Sequence, residues 1–199
     1  MMLPAGRGPF AGWPADAVAR VDRAAERHGG WARFAALTSV KMELLALGGP
    51  LPRMMGLGRT FTMPARMTVW PHECRVQFGG WERSPTTWRS RSSSRTRSFL
   101  DADGASLRVR FADDWPAHNR VQRFWLADDG LLVRHDYVAE IVGRWAQGAH
   151  FVDDYVEVAG VWIPRRRRVR VRVGRQALPI PVLHAQFGAV EAGVALSDQ

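Results

Sequence analysis

RVQRFWLADDGLLVRHDYVAEIV, residues 120–142, holds two runs of alternating residues on either side of Asp129-Gly130. Side chains two apart on a strand share a face, so Gln122 and Phe124 lie together before the turn. After it, Leu131, Val133, His135, Tyr137, Ala139 and Ile141 share one side. Leu132, Arg134, Asp136, Val138, Glu140 and Val142 take the other. A glycine after aspartate supplies the positive φ of a tight hairpin. The stretch therefore predicts two antiparallel neighbours with Gln122, Phe124, His135 and Tyr137 facing one concavity. The same alternation sends His135 and Asp136 to opposite faces, so the two cannot act as a catalytic pair.

The pattern extends in both directions. Asp103-Gly104 and Ala159-Gly160 carry the same turn chemistry, and short turns join antiparallel strands. Further strands are predicted at 107–111, 120–127, 131–142, 150–158, 161–173 and 182–187. Upstream, Val40, Met42, Leu44 and Ala46 alternate with Ser39, Lys41, Glu43 and Leu45 until Gly48-Gly49-Pro50, the signature of a strand buried on one face. Weaker strands are expected at 60–70 and 73–78, with a loop at 50–59. Ala17, Val18, Val21, Ala24 and Ala25 recur at helical spacing between Pro14 and Gly29-Gly30, which predicts a helix over 14–28. Trp31, Phe34 and Leu37 suggest a short second one.

The expected fold is mainly β (α+β). It is a curved antiparallel sheet or incomplete barrel of about nine strands, with the N-terminal helix packed on its open side. One domain over 1–199 is expected, helical at 14–37 and β-rich over 38–190. SPTTWRSRSSSRTRS, residues 84–98, alternates arginine with hydroxyl side chains and offers nothing to bury. It reads as an irregular loop, with anion binding or a local corruption of the reading frame as the alternatives.

With 46% hydrophobic residues the chain has material for a sizeable core. No apolar run approaches the ~20 residues of a membrane-spanning helix. The N-terminus shows no signal-peptide pattern, and the expected location is cytoplasmic. A single cysteine, Cys74, precludes an internal disulfide framework. The net charge of +9 invites an anionic partner, yet Lys41 is the one lysine among 28 basic residues. That skew points to a GC-rich coding bias as part of the basicity.

The run IPRRRRVRVRV, 163–173, reads as a strand with Arg166, Arg168, Arg170 and Arg172 on one face. Ile163, Val169, Val171 and Val173 lie on the other, with Arg165 and Arg167 among them. The four-arginine face is a solvated one that blunts edge aggregation, and it is also the candidate anion-binding surface. Nucleic acid is disfavoured because aromatic interleaving is missing. The six histidines show no short ligand spacing, so no metal site is expected, and no cofactor motif or nucleophile elbow is present.

DDYVEVAGVWIPRRRRV, residues 153–169, resembles the late hairpin of the LolA/LolB type of lipoprotein carriers. Residues 107–169 more broadly are similar to uncharacterised bacterial proteins of that architecture. The resemblance implies an incomplete antiparallel barrel wrapped around helices, with an apolar concave surface that in the carriers receives acyl chains. The chain lacks the carriers' secretion signal and the receptors' N-terminal cysteine, so a fold is implied more than lipoprotein trafficking. The expectation is non-catalytic binding of an apolar or amphipathic small molecule by Gln122, Phe124, His135, Tyr137 and His150. The alternatives are an enzyme using His135, and a binder of an anionic polymer or membrane surface.

Overall fold

A computed structural model of the protein describes residues 10, 12–54, 65–70, 73–78, 81–83, 97–104, 106–111, 119–140 and 143–194. Among the described residues three helices, α1 (Ala15–Arg27), α2 (Trp31–Ala36) and α3 (Pro50–Met54), accompany eleven strands. The strands are β1 (Leu37–Gly48), β2 (Ala65–Trp70), β3 (Glu73–Phe78), β4 (Trp81–Arg83), β5 (Arg97–Asp103), β6 (Ser106–Phe111), β7 (Val121–Leu126), β8 (Leu132–Val138), β9 (Gln147–Val158), β10 (Val161–Val173) and β11 (Gln176–Val194). All join one sheet in the order β4-β3-β2-β1-β11-β10-β9-β8-β7-β6-β5. Every pairing is antiparallel. The sheet is open and curved, as expected. The chain enters in its middle at β1, runs out to one edge at β4, and meanders from the other edge back until β11 pairs with β1.

Strand count and boundaries differ from the expectation at identifiable places. β4 and β5 are additional edge strands, and Arg97 and Ser98, assigned to the loop 84–98, belong to β5. The rest of that loop, like 60–64 of the expected strand 60–70, lies outside the described residues. Pro50–Met54 form a short helix where a loop was expected, with proline in the first turn, where its missing N–H costs nothing. β8 ends at Val138 instead of running to Val142.

β11 is far longer than the predicted 182–187. Pro179 and Pro181 interrupted the pattern, but β1 pairs only with His184–Val194. Among the described residues the proline-bearing half therefore pairs with β10 alone, which leaves an edge where a missing donor is tolerated.

The alternation of β1 holds through Val40, Met42 and Leu44, all buried. A register shift between Leu44 and Ala46 then turns Leu47, not Ala46, toward the core. Leu37, Val40, Met42, Leu44, Val161, Ile163, Ala185 and Phe187 form that core.

α1 crosses the sheet along the end where the β5–β6, β7–β8 and β9–β10 turns gather. Arg20 donates to the Gly104 carbonyl, Arg27 Nε lies 2.9 Å from Asp129 Oδ2, and the Trp162 N–H donates to the His28 carbonyl at 3.0 Å. The β9–β10 turn has positive φ at both Ala159 (52°) and Gly160 (74°), and Gly29 (116°) packs against the Gly160 carbonyl with no room for a Cβ.

Candidate ligand-binding site

The inward face of α1 is made of small residues. Val21, Ala24 and Ala25 look across at Leu107, Val109 and Phe111 of β6, Phe124 and Leu126 of β7 and Leu132 of β8. Phe10, Trp13, Trp31 and Phe34 close another side. Alanines opposite a sheet face leave space that leucines would fill, and the result is a cavity of about 380 Å³. Its walls are almost wholly hydrocarbon. Trp31 and Phe34 line it while remaining 42% and 58% exposed, which puts them at its mouth.

Cross-strand register carries the face beyond Phe124. Phe124 pairs with His135, His135 with His150, and His150 with Val169. Gln122 is buried beside them on β7. The His135 ring stacks flat on Phe124, centroids 4.7 Å apart at 2°, and its Nε2 lies 2.7 Å from Gln122 Oε1, whose amide donates to the Asn119 carbonyl at 2.9 Å. Tyr137 is 5.1 Å from His135, and His150 is 6.4 Å from both. Gly148 stands opposite Tyr137, and a Cβ there would touch the ring at 3.6 Å.

Burial dominates the electrostatics. It lowers the His150 pKa to about 4, with the Arg167 and His135 charges adding to the effect, so the imidazole is neutral near pH 7. His150 Nε2 is buried with no hydrogen-bond partner among the described residues. Burial likewise raises the Tyr137 phenol above its ordinary value.

Of the five expected ligand-binding residues, Phe124 lines the cavity. Gln122, His135, Tyr137 and His150 form a polar and aromatic extension of the same face, adjacent to it and not among its walls. The cavity walls from α1, α2 and β6 were not singled out in the sequence, although the apolar stripe of α1 and the Trp31/Phe34 spacing were visible. Leu132, expected opposite His135, reaches the cavity because a register shift between Trp125 and Leu126 brings it beside Leu126. Val133, expected on the apolar side, is exposed.

The opposite face is polar and densely paired. Asp136, 4% exposed, accepts from Arg134 Nε (2.6 Å) and Nη2 (2.9 Å) and from Trp125 Nε1 (3.1 Å). Arg166 lies 3.2 Å from Asp153, which Arg168 also engages. Arg170 lies over the Phe151 ring at 5.4 Å. Arg172 donates to the Gly148 and Tyr137 carbonyls, each at 3.4 Å, and sits 4.0 Å from Asp136. The four arginines expected to offer an anion site are thus engaged by carboxylates, carbonyls and a ring of neighbouring strands.

No protein-family model and no curated protein sequence matches the chain. Solved structures similar in fold include these two. One is a LolA superfamily protein from Nitrosomonas europaea, 8% identical, with a TM-score of 0.49 over 88% of this chain and 94% of that one. The other is a DUF1329 family protein from Desulfovibrio piger, 12% identical, with a TM-score of 0.49 over 91% of this chain and 95% of that one. The first bears the family name that residues 153–169 suggested. Among the described residues no helix is long and apolar enough to cross a membrane.

Proposed function

We propose that the protein binds an apolar or amphipathic small molecule, its tail in the cavity between α1, α2 and β6–β8 and its head toward Gln122, His135, Tyr137 and His150. The observation that carries this reading is the cavity itself. A space of about 380 Å³ walled by Val21, Ala24, Ala25, Leu107, Val109 and Phe124 repels water and suits hydrocarbon. Apolar contact supplies the affinity, at roughly 25 cal/mol for each Å² removed from water before the costs of ordering. The polar extension orients the head. The resemblance of residues 153–169 to the late hairpin of carriers whose concave face receives acyl chains points the same way.

The test is uptake of an anilinonaphthalene dye by the purified protein and its displacement by long-chain fatty acids or isoprenoids, followed by native mass spectrometry. Binding with displacement is expected, and His135→Ala and Tyr137→Phe should weaken ligands with polar heads more than the dye. A folded protein that takes up neither dye nor lipid, or variants that change thermal stability alone, would overturn the assignment.

The enzyme reading required titratable groups to converge, and His135 with His150 at 6.4 Å is the pair that meets it. Among the described residues, His135 Nε2 lies 2.7 Å from the Gln122 amide oxygen, a contact that fixes the ring for recognition.

A further inference from the structure

We infer that the ligand is a hydrophobe with a flat, conjugated ring system, and that the cavity selects the ring over a saturated chain. The inference rests on the binding role proposed above and names the class of molecule bound.

The walls are enriched in aromatic side chains. Phe10, Trp13, Trp31, Phe34, Phe111 and Phe124 are six of the fifteen described residues that line the cavity, in a chain whose aromatic content is 10%. Exclusion of water does not account for that enrichment, because the hydrophobic effect is non-directional and aliphatic side chains supply it as well. Leu107 and Val109 do so in the same walls. The six rings also come from separate parts of the chain. Phe10 and Trp13 precede α1, Trp31 and Phe34 belong to α2, and Phe111 and Phe124 belong to β6 and β7. The fold thus gathers them around one space.

Their mutual geometry suits a guest ring. Phe10 meets Trp13 with centroids 5.0 Å apart at 58°, and Trp31 at 6.0 Å and 46°. Phe111 meets Phe124 edge-on, 6.4 Å apart at 76°. Inclined neighbours do not cover one another as a layered pair does, so the walls present both faces and edges to an entering molecule. An aromatic guest is attracted in either geometry, offset-stacked or edge-to-face. A saturated chain has no ring quadrupole to answer them, and it gives up torsional freedom that a rigid ring system never had. His135, flat against Phe124 at 4.7 Å, holds that ring at a fixed inclination. Trp31 and Phe34, 42% and 58% exposed at the mouth, make the first contact with a ring as it enters. A hydroxyl or carbonyl at the ring's far end then turns toward Gln122 and Tyr137.

The experiment measures binding of anthracenemethanol and pentadecanol, alcohols of equal carbon number, by calorimetry on the whole chain. Each variant is compared with wild type for the same probe, so the difference in water solubility between the probes cancels. Phe34→Leu and Phe124→Leu should each weaken anthracenemethanol by about twofold to tenfold, while leucine keeps the wall apolar and leaves pentadecanol within about twofold of wild type. Phe34 is exposed at the mouth, so its variant keeps the test decisive where Phe124→Leu fails to fold. Equal losses for the two probes in a folded variant, or no loss for either, would overturn the inference while leaving the cavity reading standing. So would a wild type that binds pentadecanol and not anthracenemethanol. Failure of the wild type to bind either alcohol would instead overturn the cavity reading, and this inference with it.

Discussion

Ala25→Leu tests whether the space beneath α1 is an unfilled cavity or a packed core, because the two forecast opposite signs. Ala25 faces the cavity with Val21 and Ala24, and the substitution adds an isopropyl group directed into about 380 Å³ of free volume. At about 0.8 kcal/mol per buried methylene, the added carbons are worth roughly 2 kcal/mol, and alanine and leucine differ little in helix propensity. For a chain of this length that corresponds to a rise in Tm of roughly 4–8 °C. A close-packed site would lose about 1–3 kcal/mol through overpacking instead. Scanning calorimetry decides the sign. Ala19→Leu, the same change on the exposed side of α1, should stay within about 0.5 kcal/mol of wild type. The dye assay supplies a second axis, since filling the cavity should reduce uptake as stability rises. A fall in Tm for Ala25→Leu, with Ala19→Leu neutral, would refute the claim that small residues on α1 leave usable space.

Three further outcomes are expected. Asp136→Asn leaves Arg134 and Arg172 without their shared carboxylate at a site that is 4% exposed, and urea unfolding should report a loss of about 3 kcal/mol or more. Gly29→Val places a side chain against the Gly160 carbonyl at a φ of 116°; it should lower Tm and speed amide exchange in α1 relative to the strands, because it forces the helix off the β9–β10 turn. The His150 pKa lies near 4 in the folded protein against about 6.5 unfolded. Between those values the unfolded chain binds the proton and the native one does not, so stability should fall as pH drops from 6.5 to 4, by about 3 kcal/mol at most. His150→Gln should remove that part of the slope, and an unchanged slope would show that His150 is not held neutral by burial.

Alternation and turn chemistry were enough to read the sheet wherever a strand buries one face and meets its neighbour through a short turn. β6 to β10 meet both conditions, with Asp129-Gly130 and Ala159-Gly160 marking two of the turns, while β1 meets the first alone. β11 escaped because Pro179 and Pro181 break the expected ladder. Proline is excluded only from strands paired on both sides, and which side of β11 is free depends on how far β1 reaches, a tertiary fact. The register shifts at Trp125/Leu126 and Leu44/Ala46 escaped for a related reason. A shift moves every later residue to the other face without changing composition, so the sequence looks equally regular on both readings. Leu132 and Leu47 are where this matters, one reaching the cavity and the other the core.

The site divides along the same physical line. Pairing relations are local, and the hairpin at Asp129-Gly130 put Gln122, Phe124, His135 and Tyr137 on one face without knowledge of the rest of the chain. A cavity is not local. It is the difference between the volume enclosed by α1 and β6–β8 and the volume of the side chains placed inside, and a sequence displays only the second quantity. Val21, Ala24 and Ala25 read as an apolar stripe suited to covering a sheet, which is what they do. That they cover it without filling the space emerges only when helix and sheet are held at a fixed separation. The separation is set by α1's contacts with three hairpin turns, through Arg20, Arg27 and His28. Those polar contacts keep the helix from settling onto the sheet as closely as its small side chains would otherwise allow. The void and its supports are therefore one device, and loosening the supports, as at Gly29, should alter ligand uptake as well as stability.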